Sequence, residues 1–185
     1  MKKIAIVCSG LLLITAAYSF TADWKTSLTQ MQSDFISCKS QNKGSECKTY
    51  VAKALKAIYG ITDFDASNKP GGALDINAVA NYIKKDSKWK LLGDASSQDI
   101  LKQAQDDANN NKAVVAMMVS DNGADHIAII APGALTACGS LKYPNSISFF
   151  INNPDKSYIS KPLAYSFKTM DGIKIYARNL GGFYP

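Results

Sequence analysis

Ala113-Val114-Val115-Ala116-Met117-Met118-Val119 is an unbroken apolar run, followed by Asp121-Asn122-Gly123 and then by His126-Ile127-Ala128-Ile129-Ile130. Two runs rich in β-formers around a turn-forming tripeptide predict a pair of strands joined by a hairpin. Segments 146–151 and 173–178 have the same character, and Pro132-Gly133, Asn152-Asn153-Pro154 and Asp171-Gly172 separate them with turn chemistry. Connections this tight favour antiparallel pairing. The second half of the chain is therefore expected to be an antiparallel sheet, with 89–92 as an added edge strand.

Upstream of that sheet the apolar residues recur at helical spacing. Asp23 can cap a helix marked by Trp24, Leu28, Met31, Phe35 and Ile36 and ending near Cys38. Ser45-Glu46-Cys47 opens a second helix whose inward face is Tyr50, Val51, Ala54, Leu55 and Ile58, with Gly60 as its terminator. A third helix is expected over 75–85 and a fourth over 96–108, the latter opened by a Ser96-x-x-Asp99 capping box. The fold class predicted is α+β, with N-terminal helices packed on a C-terminal antiparallel sheet in one domain, residues 20–185.

The 185 residues are 46% apolar, enough for a packed core and too many for a disordered or coiled-coil chain. The net charge is +6, but Arg178 is the only arginine, and Lys84-Lys85 is the only adjacent basic pair beyond the N-terminus. No nucleic-acid-binding tract is therefore expected, because phosphate and base-edge contacts draw on arginine forks and clustered charge. Asp99, Asp106 and Asp107 lie on a polar helix and read as a solvated face. Trp24 and Trp89 read as core.

Met1-Lys2-Lys3, an apolar run from Ile4 to Ala17 and the small-residue sequence Ala17-Tyr18-Ser19 have the form of a secretory signal covering 1–19. A periplasmic or secreted protein is expected, with no membrane attachment once the signal is cleaved. Removing Cys8 leaves Cys38, Cys47 and Cys138 in an oxidising setting, an odd count that implies one thiol without a partner in the chain. His126 is the only histidine. No C-x-x-C or H-x-x-x-H occurs, so neither a metal site nor a cofactor is expected.

Cys47 falls in the first turn of the second predicted helix, where unpaired N–H groups and the helix dipole favour an anion and lower a thiol's pKa. The same N–H groups could hold an oxyanion. His126 begins a strand at the mouth of the sheet. A nucleophile on a helix with a base on the facing sheet is the arrangement of a papain-type Cys–His hydrolase.

Glu46-Cys47-Lys48-Thr49-Tyr50-Val51-Ala52 and Gly123-Ala124-Asp125-His126-Ile127-Ala128-Ile129-Ile130 resemble the cysteine-helix and histidine-strand signatures of the NlpC and CHAP superfamily. That superfamily comprises cysteine amidases and endopeptidases of bacterial cell-wall peptides, including small amidase effectors delivered into rival bacteria. The resemblance implies a papain-like fold, Cys47 and His126 as catalytic residues, peptidoglycan peptides as substrate, and, for an effector, a cognate immunity or inhibitor protein as partner. It also implies a third polar residue orienting the imidazole. Asn152 and Asn153 are the candidates by strand pairing, and Asn145 or Ser148 by a shifted register. If Cys47 is kept as a free thiol, Cys38 and Cys138 remain as the one pair able to form a disulfide. A monomer is expected.

Two other readings compete. In one, the chain is a secreted binding or inhibitory module in which Cys47 is packed or disulfide-bonded and His126 is incidental. In the other, the Cys–His pair acts on a protein, as a hydrolase or acyltransferase.

Overall fold

The computed structural model describes residues 24–41, 44–120 and 123–178. The signal-like segment 1–19, its cleavage point and the Asp121-Asn122 turn lie outside the described residues. Helix α1 (Trp24–Ser40) is followed by a 3-10 turn at Glu46–Thr49, which runs into α2 (Tyr50–Tyr59). Gly60 ends α2 at φ 66° with its N–H on Lys56 O, a left-handed cap that glycine adopts without steric cost. Helix α3 (Ile76–Lys85) is capped by Asp75, whose carboxylate accepts from the N–H groups of Asn77 and Ala78 at 2.9 and 3.0 Å. Strand β1 (Trp89–Asp94) and helix α4 (Gln98–Asn109) complete the first half.

The remaining strands are β2 (Ala113–Ser120), β3 (Gly123–Ile130), β4 (Thr136–Cys138), β5 (Leu141–Tyr143), β6 (Asn145–Ser148), β7 (Tyr158–Pro162) and β8 (Ile173–Arg178). Six form one antiparallel sheet in the order β1-β8-β2-β3-β6-β7, while β4 and β5 form a separate hairpin. The α+β class holds, and residues 89–92 do belong to an edge strand. The expected segment 146–151 is shorter as a strand, ending at Ser148. β7 was not anticipated, because five residues ending in proline carry little β signal.

Side chains of the central strands alternate between two cores, which explains the unbroken apolar run of β2: it is buried on both faces. Val115, Met117, Ile127, Ile129 and Ile147 pack with α1, α2 and α3. Val114, Ala116, Ala128, Ile130 and the β8 residues Ile173, Ile175 and Ala177 pack with Leu101, Ala104 and Ala108 of α4. The helices therefore cover both faces of the sheet rather than one. Tyr59 fixes α2 over β3 by donating its buried hydroxyl to Ile130 O at 2.5 Å, and burial pushes that phenol's pKa up.

Two expected caps do not form. Ser45 has helical φ/ψ (−74°, −41°) and makes no side-chain cap bond, so Cys47 sits inside a 3-10 turn and not in the first turn of an α-helix. The fourth helix starts at Gln98 after Ser97, which likewise makes no side-chain cap bond, so the Ser96-x-x-Asp99 box is not used.

Candidate functional site

Cys47 is 1% exposed, and its sulfur is bonded to Cys38 in the last turns of α1, with Cα atoms 5.8 Å apart. This corrects the pairing of Cys38 with Cys138. The reason is topological. Cys138 belongs to the β4–β5 hairpin, which is tied to α4 by Gln98 Nε2 donating to Lys142 O at 3.1 Å and Lys142 N–H donating to Gln98 Oε1 at 2.7 Å. That places it on the α4 side of the sheet, across from Cys38. Cys138 is free and exposed, so the unpartnered thiol is this one and not Cys47.

A bridge with a sequence separation of 9 closes a short loop, for which chain-entropy arguments give about 2–3 kcal/mol. In the native chain freed of residues 1–19, one thiol, Cys138, is expected to react with iodoacetamide, as read by intact mass. Reduction should expose two more and lower the melting temperature by roughly 4–12 °C for a chain this long. Labelling of Cys47 without reductant would refute the bridge.

His126 stands opposite Met118 in the β2–β3 ladder. Alternation along β3 puts it on the face of Ala128 and Ile130, the α4 side. Its ring stacks on Phe150 (4.7 Å between centroids, 3° between planes) and meets Phe167 edge-on at 5.3 Å. Its Nε2 lies 3.2 Å from Ser148 Oγ. From Ser148 a chain of hydroxyls continues to Ser166 (2.8 Å), to Tyr158 (2.6 Å) and on to Ser146 (3.1 Å). Burial pushes the imidazole pKa down to about 4, so the ring is neutral near pH 7.

Cys47 and His126 thus take different partners, Cys38 and Ser148. Cys47 belongs to the core shared with α1 and α2, and His126 looks out from the other face. Neighbouring phenylalanines show the division: Phe149 packs against Tyr50 at 5.8 Å, just after Cys47, whereas Phe150 stacks on His126. Of the candidates for a third residue, Ser148 is the one bonded to the imidazole. Asn152 and Asn153 line the cleft beside it. Asn145 is turned away, its Nδ2 donating to Pro132 O and its Oδ1 accepting from Ser160 Oγ.

The cleft has a volume of about 440 Å³ and is walled mainly by Met118, His126, Phe149, Phe150, Ile151 and Phe167. A second cavity of about 450 Å³ adjoins it, lined among others by Lys156, Tyr158, Lys161 and Tyr165; Phe150, Ser166, Phe167 and Lys168 border both. Phe167, Ser166 and Lys168 were missed in the sequence because they lie in irregular chain after Tyr165, where no periodicity marks a face. The alternating Ser146 and Ser148, both fully buried, were the one available signal of a polar stripe in the sheet.

Among the described residues no group of three or more His, Cys, Asp or Glu side chains could hold a metal ion. No described helix is long and apolar enough to cross a membrane. No known protein-family model and no curated protein matches the sequence.

Proposed function

We propose that this chain is an exported, disulfide-braced binding module whose ligand site is the cleft beside His126. The observation that carries it is the fate of the two expected catalytic groups. The Cys47 sulfur is spent in a bond to Cys38, and His126 bonds Ser148 on the opposite face of the sheet. A thioester intermediate needs a free thiolate within hydrogen-bond reach of its base, and in the oxidised protein the Cys47 sulfur is bonded to Cys38. What remains is a concave, aromatic-walled site within the size range of small-ligand pockets, with a few polar groups at its rim.

A second reading keeps the papain-like Cys–His hydrolase of peptidoglycan peptides, with an immunity protein as its partner if it acts as an effector. One observation favours it: Cys47 heads the helical segment that leads into α2, which packs on the sheet carrying His126. In that reading, reduction by a thiol frees Cys47, and the start of β3 rearranges so that His126 faces it. The thiolate then adds to the amide carbonyl, His126 protonates the departing amine, and water releases the acyl group.

Mass spectrometry of muropeptides distinguishes the two. After incubation with the oxidised protein, and again with reductant, no product dependent on Cys47 is expected. Products that vanish in Cys47→Ala would overturn the binding module in favour of the hydrolase.

A further inference from the structure

We propose that the cleft beside His126 and the adjoining basic cavity form a single site for an amphiphilic carboxylate, its hydrocarbon part in the cleft and its carboxylate among Lys156, Lys161 and Lys168. The assignment rests on the binding-module reading and gives it a ligand class. Two unlike cavities share one wall, made of Phe150, Ser166, Phe167 and Lys168. The first is apolar over most of its lining, and none of its lining residues is acidic. The second carries three lysines against one carboxylate, Asp155.

Those lysines are not consumed elsewhere in the described residues. The salt bridges among them use Lys56, Lys112, Lys174 and Arg178. The Lys161 ammonium is held over the rings of Tyr158 and Tyr165, at 5.4 and 5.8 Å from their centroids; all three residues line the second cavity, and the ring contacts leave the ammonium's hydrogen-bonding capacity open. Lys168 stands where the two cavities meet.

Charge and shape together select the ligand. A free inorganic anion would use the lysines and leave the apolar cleft wet. A neutral hydrocarbon would fill the cleft and ignore three ammonium groups that no salt bridge among the described residues engages. A molecule with an apolar body and one terminal carboxylate satisfies both, and buried methylenes then dominate affinity while the charge fixes orientation.

The test is calorimetric titration of the oxidised mature chain with hexanoate, octanoate, octanol and inorganic phosphate at low ionic strength. Octanoate should bind, and shortening it to hexanoate should weaken binding more than tenfold, since each buried methylene is worth about fourfold. Octanol should bind at least tenfold more weakly than octanoate. Lys161→Gln, an exposed substitution that borders the basic cavity and not the apolar cleft, checked by its melting curve, should weaken octanoate severalfold and leave octanol unchanged. Equal affinity for octanoate and octanol, tight binding of phosphate alone, or no octanoate binding at millimolar concentration would each overturn the proposal. None of those results touches the binding-module reading, which fails on Cys47-dependent muropeptide products instead.

Discussion

Substituting Arg178 by methionine is expected to destabilise the protein by about 3–5 kcal/mol and to lower its melting temperature by on the order of 10 °C. Arg178 closes β8 between Trp89 of β1 and Ala113 of β2. Its guanidinium donates through Nε to Asp63 Oδ2 at 2.5 Å and through Nη2 to Oδ1 at 2.8 Å, with the side chains only 13% and 7% exposed. Asp63 precedes Phe64, which packs on Trp89 and on Tyr82 at 5.9 and 5.5 Å. The pair therefore pins the loop after α2 to the end of β8. Methionine can replace the stem but leaves a carboxylate in a dry site, and the cost of that orphaned charge dominates. The double variant Arg178→Met, Asp63→Leu should recover most of the loss, because a buried pair gains little over apolar residues of similar size. A single-variant loss below about 1 kcal/mol would show a solvated pair. The only arginine of a basic protein is thus spent on the fold.

Much of the architecture was legible because burial writes itself into composition. The run 113–119 is uniformly apolar since β2 is covered on both faces, and α3 announces itself through Asp75 and the spacing of Ile76, Val79, Ala80 and Ile83. Of the two expected catalytic residues, the structure places His126 on a cleft and Cys47 in a disulfide. His126 does border the cleft, but the face it occupies depends on an irregularity: the β2–β3 register shifts between Met118 and Val119, so that Met118 pairs with His126 while Val119 pairs with Ala124. A bulge of one residue exchanges the two faces of a strand, and counting outward from the Asp121-Asn122-Gly123 turn cannot reveal it.

The cysteine pairing went astray for a different reason. Treating it as a nucleophile forced Cys38 toward Cys138, whereas the chain reversal between α1 and α2 brings Cys38 and Cys47 within bonding distance. Pairing is decided by Cα separation and by which side of the sheet each cysteine occupies, and neither quantity is contained in a count of thiols. Once the sulfurs are paired, the same helical turn that would have activated a thiolate becomes a brace between two helices.

Acidification is expected to remove about 3 kcal/mol of stability through His126 alone. Its pKa falls from the usual 6.5 to about 4 in the fold because burial disfavours the imidazolium. Between those values the unfolded chain binds a proton that the folded chain does not, so stability rises with pH across the window. The contribution is complete above about pH 6.5 and is lost as pH drops toward 4, at a slope approaching 1.4 kcal/mol per pH unit. The surroundings offer the cation little compensation. Phe150 and Phe167 flank the ring, Ser148 is its hydrogen-bond partner, and Lys168 on the same cleft carries a like charge. His126→Phe keeps a flat ring against Phe150 and cannot titrate. Denaturant unfolding between pH 7 and 4 should therefore show a steep fall for the wild type and a markedly flatter one for the variant, whose stability at pH 7 is lower by the loss of the Ser148 bond, about 1 kcal/mol. Parallel curves would mean that the imidazole reaches water without cost, and the aromatic wall that the proposed ligand site requires would not hold.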